Sequence, residues 1–231
     1  YDLANGPLLR VTLLRLAADE HLLLLGVHHI VADGWSMNLL VDEFTRGYNA
    51  HCRGESTGLA PLTAHYADCA AWQRKLLEAG EGERQLEYWL QRLAGEAPSL
   101  ELPFDYQRPA RPSGRGAVLG FEIEPALAGR LRKVAQARGA TLFMLLLAAF
   151  KVQLYRYSGQ ADLRVGVPIA GRGNSESERL IGFFVNTLVM RTAVDGRESF
   201  EALLARVRQG TLADQANQDL PFEQLVEALQ P

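Results

Sequence analysis

The chain has 231 residues, 48% of them hydrophobic and 22% charged, with a net charge of −3 at pH 7. That length suits one large domain or two modest ones, and the balance is that of an ordinary globular protein. The charge gives no support for nucleic acid or an anionic membrane as partner, and no stretch approaches the roughly 20 consecutive apolar residues of a membrane span.

The two cysteines, Cys52 and Cys69, have a spacing that suits neither a zinc site nor a disulfide framework. They point to a reducing, cytoplasmic setting. The start, "YDLANGPLLR", carries acid early and lacks the basic start and apolar core of a signal peptide. Both it and the final "LVEALQP" read like the interior of a longer protein.

In chain order, "LLRVTLLRLA" (8–17) and "HLLLLGVHH" (21–29) predict an antiparallel strand pair joined by a short turn, the second strand buried and ending on its histidines. From Ser36, the expected N-cap, Met37, Leu40, Val41, Phe44 and Tyr48 fall at helical spacing. Residues 53–62 read as loop. Helices follow over 66–80 and 83–95, each stopped by a glycine. "LPFDYQRPARPSGRG" (102–116), with three prolines and two glycines, cannot be regular structure and marks a lobe boundary.

Beyond it the pattern restarts. Residues 117–124 alternate like a strand, and 126–139 read as an amphipathic helix. A long apolar helix over 141–159 starts at the N-cap Thr141. "DLRVGVPIA" and "GFFVNTLVMRTAV" read as strands, and "SFEALLARVRQGTLADQANQ" as a helix. "PFEQLVEALQ" opens a last helix, with Pro221 in its first turn. The class is α/β, in two lobes of similar content.

The chemistry concentrates in "HHIVADGWS", residues 28–36. Side chains alternate along a strand, so His28 and His29 should face opposite ways, one to a cleft and one inward. A mononuclear metal site using both is disfavoured, and with Asp33 it would still lack further ligands of the usual zinc geometry. An imidazole can serve as general base near neutral pH. Asp33 can buttress its loop, and Gly34 permits a tight turn or close approach of a ligand. The plainer alternative is a satisfied core histidine followed by an Asx-type turn.

The whole string resembles the HHxxxDG motif of the condensation domains of nonribosomal peptide synthetases, a superfamily that includes chloramphenicol acetyltransferase. Further segments agree in the same order: "YADCAAW" (66–72), "IGFFVNTLVMR" (181–191) and "NQDLPFEQLVEAL" (217–229). "YSGQADLRVGVPIAGR" is also typical. Cys69 stands where an aromatic is usual. The family's first two motifs would lie before Tyr1, and its last, arginine-containing motif after Pro231, so the chain reads as an internal fragment.

The resemblance implies two acetyltransferase-like lobes in a V around a central tunnel, the first truncated at its N-terminus. Residues 1–101 would be the remainder of the first lobe, 102–116 the linker and 117–231 a C-terminally truncated second lobe. Upstream and downstream carrier proteins would deliver thioesters on phosphopantetheine, with an adenylation domain as neighbour in the same synthetase and no cofactor bound intrinsically. His29 would face the tunnel as base or as orienter of the amine, with His28 structural. Asp33 would pair with an arginine supplied from before Tyr1. Gly34 would lie beside the pantetheine arm.

Trp35 reads as core or tunnel-facing, and Asn186 as tunnel lining or a bridge between strands. Gln218 would line the tunnel or contact the other lobe, and Asp219 would cap the helix after Pro221. Tyr66, Asp68 and Trp72, at helical spacing, read as scaffold. Three alternatives remain at this level: an epimerisation domain with the same motif, a non-catalytic docking module of the same fold, and a free-standing acetyltransferase using coenzyme A.

Overall fold

The computed structural model describes residues 1–96, 99–107, 109–173 and 175–230. It packs as two compact units, Tyr1–Arg84 with Pro168–Asn186, and Gln85–Val167 with Thr187–Pro231. Packing therefore does not follow the chain's two halves. Residues 168–186 join the first unit from late in the sequence, and 85–96 belong with the second.

In the first unit β1 (Leu9–Arg15) and β2 (His21–Val27) form the expected antiparallel pair, in register from Leu9↔Val27 to Arg15↔His21. The turn closes where the Leu16 and Ala17 N–H groups donate to the Glu20 carbonyl at 2.9 and 3.1 Å. Contrary to expectation the pair is not buried. Leu9, Val11, Leu13 and Leu14 of β1 are all exposed, and only the end of β2, Leu25–Val27, is half-buried throughout.

Helix α1 (Gly34–Arg53) begins two residues before the expected cap, because Asp33 rather than Ser36 is the N-cap. The Asp33 carboxylate accepts the Ser36 N–H at 2.8 Å, leaving Ser36 inside the helix and fully buried. Helix α1 ends at Gly54, whose φ of 68° favours glycine. Helix α2 (Tyr66–Leu76) is opened by Asp68, which accepts the His65 N–H at 2.8 Å. A π turn over Leu77–Glu81 follows, with Gly80 at φ 104° breaking the helical path.

The second unit holds α3 (Gly82–Arg92) from Gln85, α4 (Pro125–Ala137), α5 (Leu142–Ser158), α6 (Phe200–Gln215) and α7 (Phe222–Leu229). Strands β3 (Asp162–Ile169) and β4 (Asn186–Ala193) pair with each other. Helix α5 packs on α4 and α6. Its apolar run is buried at Met144, Leu145, Leu147, Ala148 and Leu154. Thr141 caps α5 as expected, and Ser199 caps α6. Trp89 is 1% exposed and donates its indole N–H to the Asn217 carbonyl at 2.8 Å. Such a donor must be satisfied when buried.

Two expected strands differ. Residues 117–124 form no strand among the described residues, and Val118, Leu119 and Phe121 are exposed. Alternation alone cannot hold a strand that has no neighbour to bond. In "GFFVNTLVMRTAV" the strand begins only at Asn186, because the backbone of 182–184 bonds elsewhere. The described part of 102–116 forms neither helix nor strand. Among the described residues no single helix is long and apolar enough to cross a membrane.

Candidate functional site

The HHxxxDG segment lies wholly in the first unit, in the link between β2 and α1 and on the first residue of α1. The strand stops at Val27, so strand alternation does not act on the two histidines. They are held by different partners instead. His28 is half-buried; its Nδ1 accepts the Ile30 N–H at 3.1 Å, and its ring meets Tyr1 edge-to-face at 5.3 Å. His29 is exposed. Its Nδ1 lies 2.7 Å from the Ala32 carbonyl, and its ring meets Phe183 edge-to-face at 5.3 Å. A carbonyl only accepts, so His29 Nδ1 carries the hydrogen, and in the neutral ring Nε2 holds the free lone pair.

Beneath the histidines sits a dense polar cluster. Asp33 is 1% exposed. Its Oδ1 accepts from the Ser36 N–H and from Arg172 Nη2 at 3.1 Å, and its Oδ2 from the Phe184 N–H at 3.1 Å. Burial by itself would raise the Asp33 pKa. The bonds from Ser36, Phe184 and Arg172 outweigh it and hold the carboxyl below the ordinary aspartate range. The Ser36 hydroxyl donates to the Gly182 carbonyl at 2.8 Å and accepts the Gly182 N–H at 3.0 Å and Arg172 Nη2 at 2.8 Å. Arg172 Nη1 donates to the Ser177 and Leu180 carbonyls, and its guanidinium lies 4.2 Å from the centre of the Phe184 ring.

The arginine expected from before Tyr1 is therefore Arg172, from within the chain. Its neighbour Gly171 has φ 63°, and a Cβ there would collide with the Phe184 carbonyl. Sequence reasoning misses Arg172, and it gives Ser36 the wrong part. The available signal is the "GR" closing the "VPIAGR" string, and a serine inside a helix whose hydroxyl has donors and acceptors to reach.

The other expected site residues divide. Gly34 is the first residue of α1; its φ is not positive, and among the described residues no atom other than those of its chain neighbours and its own helix backbone lies within 4 Å of where a Cβ would stand. It is thus no turn glycine. Trp35 is not core: it is 46% exposed and donates its indole N–H to the Glu178 carbonyl at 2.9 Å. Asn186 is half-buried at the start of β4, in the first unit. Gln218 is half-buried in the second unit. Asp219 does not cap α7, whose N-cap is Pro221; it accepts from Gln85 Nε2 at 3.0 Å. Trp72 is 57% exposed rather than scaffold, whereas Tyr66 and Asp68 do hold structure.

Cys52 and Cys69 are free thiols; burial, with Asp68 and Glu176 nearby, pushes the Cys69 thiol up. Among the described residues no group of three or more His, Cys, Asp or Glu side chains could hold a metal ion.

Paired histidines above a buried Asp–Arg–Ser cluster, on an α/β fold, define a class that the whole sequence also matches. The family model described as Condensation domain covers residues 1–231, and the chain belongs to that family, the condensation domains of nonribosomal peptide synthetases.

It is 50% identical over 230 residues to a linear gramicidin synthase of Brevibacillus parabrevis, covering 100% of this chain and 4% of that protein. It is 45% identical to phosphinothricin tripeptide synthetase of Streptomyces viridochromogenes, covering 98% of this chain and 21% of that one. Among solved structures it resembles the X-domain from teicoplanin biosynthesis (TM-score 0.88, 31% identity, 100% of this chain and 52% of that one). It also resembles the first condensation domain of the CDA synthetase (TM-score 0.76, 26% identity, 96% and 49%). The chain thus spans a small part of these synthetases and about half of the solved chains.

Proposed function

We propose that this chain contributes the HHxxxDG site of a domain that forms an amide bond between two carrier-bound thioesters in nonribosomal peptide biosynthesis. The acceptor α-amine attacks the donor thioester carbonyl, the C–S bond breaks, and the phosphopantetheine thiol leaves. His29 takes the amine proton on Nε2 and can return it to the departing thiolate. A free α-amine titrates near 7.7–8.0, so the base need only accept a proton as the tetrahedral species forms.

The observation that carries the reading is the 2.7 Å contact of His29 Nδ1 with the Ala32 carbonyl, which leaves Nε2 the acceptor in an exposed ring. His28 engages its Nδ1 with backbone and meets the Tyr1 ring, in keeping with a structural part. Gly34, whose lack of a side chain neither turn geometry nor crowding demands, suits a place where the pantetheine arm passes along a tunnel. Upstream and downstream carrier proteins and an adenylation domain are the partners this reading requires.

A second reading has its own support. The likeness to the teicoplanin X-domain, also solved in complex with OxyB, fits a docking module of the same fold. The intact histidine pair favours catalysis. Incubating the whole protein with donor- and acceptor-loaded carriers and weighing the products separates the readings. Amide product that falls at least about 10²-fold in His29→Ala supports the proposal. A His28→Ala variant, at equal folded fraction, should retain most of the rate. Absence of any amide product with correctly loaded carriers would sink it, and racemisation of one loaded carrier would point to epimerisation.

A further inference from the structure

We infer that Tyr66 is a positioning residue for His29, acting through the backbone of Phe183. The inference rests on the reading of His29 as the group that handles the amine proton.

His29 has two neighbours that fix its ring. One is the Ala32 carbonyl, held in the same turn. The other is the Phe183 ring, which arrives from far along the sequence. What sets Phe183 is the segment 182–184, and that segment is gripped from two sides. On one side Ser36 binds both the N–H and the carbonyl of Gly182, the Asp33 N–H donates to the same carbonyl at 3.2 Å, and Asp33 Oδ2 accepts the Phe184 N–H. On the other side stands Tyr66. Its hydroxyl donates to the Phe183 carbonyl at 2.8 Å, and its ring meets Phe184 edge-to-face at 5.1 Å.

Gly182 makes the second grip possible. A Cβ at 182 would overlap the Tyr66 ring, coming within 2.7 Å of Cε2. The ring thus fills the space that any other residue at 182 would need. Phe183, between these two anchored neighbours, carries the ring that meets His29. Burial, with the charge of Asp33 nearby, raises the Tyr66 pKa, which keeps the hydroxyl a donor across the working pH range. Asp33 and Ser36 therefore fix one edge of the segment, and Tyr66 fixes the other.

Misplacing a reacting group by about 1 Å can cost up to about 10² in rate. The removal of one hydroxyl should cost less. In the whole protein, Tyr66→Phe, which keeps the ring over Gly182, should lower kcat about tenfold with acceptor KM changed less than twofold. Diethyl pyrocarbonate labelling read by peptide mass supplies a measure that needs no turnover. The labelling rate of His29 should change at least threefold, while that of His28 stays as in wild type. Phe183→Leu, which keeps the carbonyl and removes the ring, should move the same two readings.

If Tyr66→Phe melts like wild type and neither kcat nor His29 labelling changes, the inference is overturned. It is likewise overturned if Phe183→Leu alone has an effect, since the contact would then not depend on Tyr66. A fully active His29→Ala is a different result: it removes the base reading, and the labelling data alone then say whether Tyr66 orients the ring.

Discussion

Asp33 in the first unit and Asp214 in the second are both buried carboxylates facing arginines, but they are satisfied differently. Asp33 has both oxygens occupied, by two backbone N–H groups and by Arg172. Asp214 uses one oxygen for both the Tyr88 hydroxyl at 2.7 Å and Arg92 Nε at 3.0 Å; its Oδ2, buried, has no partner among the described residues. Beside this second cluster Lys151 is 0% exposed, donating to the Met190 carbonyl at 2.7 Å and the Thr192 hydroxyl at 2.6 Å. The first network grips backbone and so shapes the segment around the histidines. The second ties α3 to α6 through side chains and, among the described residues, reaches backbone only at the Met190 and Arg191 carbonyls of β4. A site needs fixed backbone, and helices need only be held together.

The sharpest way to break this contrast is to take the arginine from the first network. Arg172→Met should cost about 3–5 kcal/mol, because it leaves Asp33 buried without its countercharge. Asp214→Asn should cost less, about 1–3 kcal/mol, since one carboxylate oxygen already lacks a partner and the amide oxygen can still accept. Chemical denaturation of the two variants measures both, and equal losses would erase the distinction.

Acid offers a second view. The Asp33 pKa is lowered in the folded state, so its contribution is present above the unfolded value of about 3.9 and is lost as pH falls through the folded value. Asp33→Asn should therefore flatten the acid limb of stability.

The second network should answer to alkali instead. Burial, with Arg92 adding to it, lowers the Lys151 pKa from 10.5 to about 8. An unfolded lysine keeps its proton to about pH 10.4, so between about 8 and 10 the unfolded chain binds more protons and stability rises with pH. Tyr88 acts above that window. Burial, and then its bond to Asp214, push its phenol far above the ordinary value, so its contribution is intact below about pH 10 and is lost beyond it. A rise of about 1–2 kcal/mol between pH 8 and 10 is expected, against a ceiling of about 1.4 kcal/mol per pH unit for one proton. Lys151→Met should abolish it. A flat profile in the parent protein would mean that the lysine is solvated.

Much of this is legible in the sequence, for identifiable reasons. Helices α1, α4, α5 and α6 follow from apolar spacing, and the cap at Thr141 from a side chain placed to accept a backbone N–H there. The motif string locates His28, His29 and Asp33. What local pattern leaves unread is long-range. Arg172 lies 139 residues from Asp33, and nothing in the spacing joins them. Residues 182–184 look like strand because they sit in the run "GFFV" (182–185), yet their backbone bonds go to Asp33, Ser36 and Tyr66. Trp35 reads as core because large aromatics usually bury, but its indole N–H is spent on the Glu178 carbonyl at the surface. Lys151, set in an apolar helix, gives no sign of which acceptors it will find.

The smallest expected change in stability is at Gly34, and it sharpens the comparison by separating fold from function within the first unit. Gly34 is the first residue of α1, its backbone does not need glycine, and among the described residues nothing beyond its chain neighbours and its own helix backbone lies within 4 Å of a Cβ placed there. It is exposed, one residue after the buried carboxylate of Asp33. Surface substitutions away from special features usually stay within about 0.5 kcal/mol, and leucine is the better helix former. Gly34→Leu should therefore melt within a few degrees of the parent while Arg172→Met does not. If the pantetheine arm runs past α1, the same leucine should stop amide formation although His29 and its ties are intact. Stopped turnover with an unchanged melt would assign Gly34 to the path of the substrate arm. Full turnover would move that path away from the start of α1, while leaving the roles of Asp33 and Arg172 as they are.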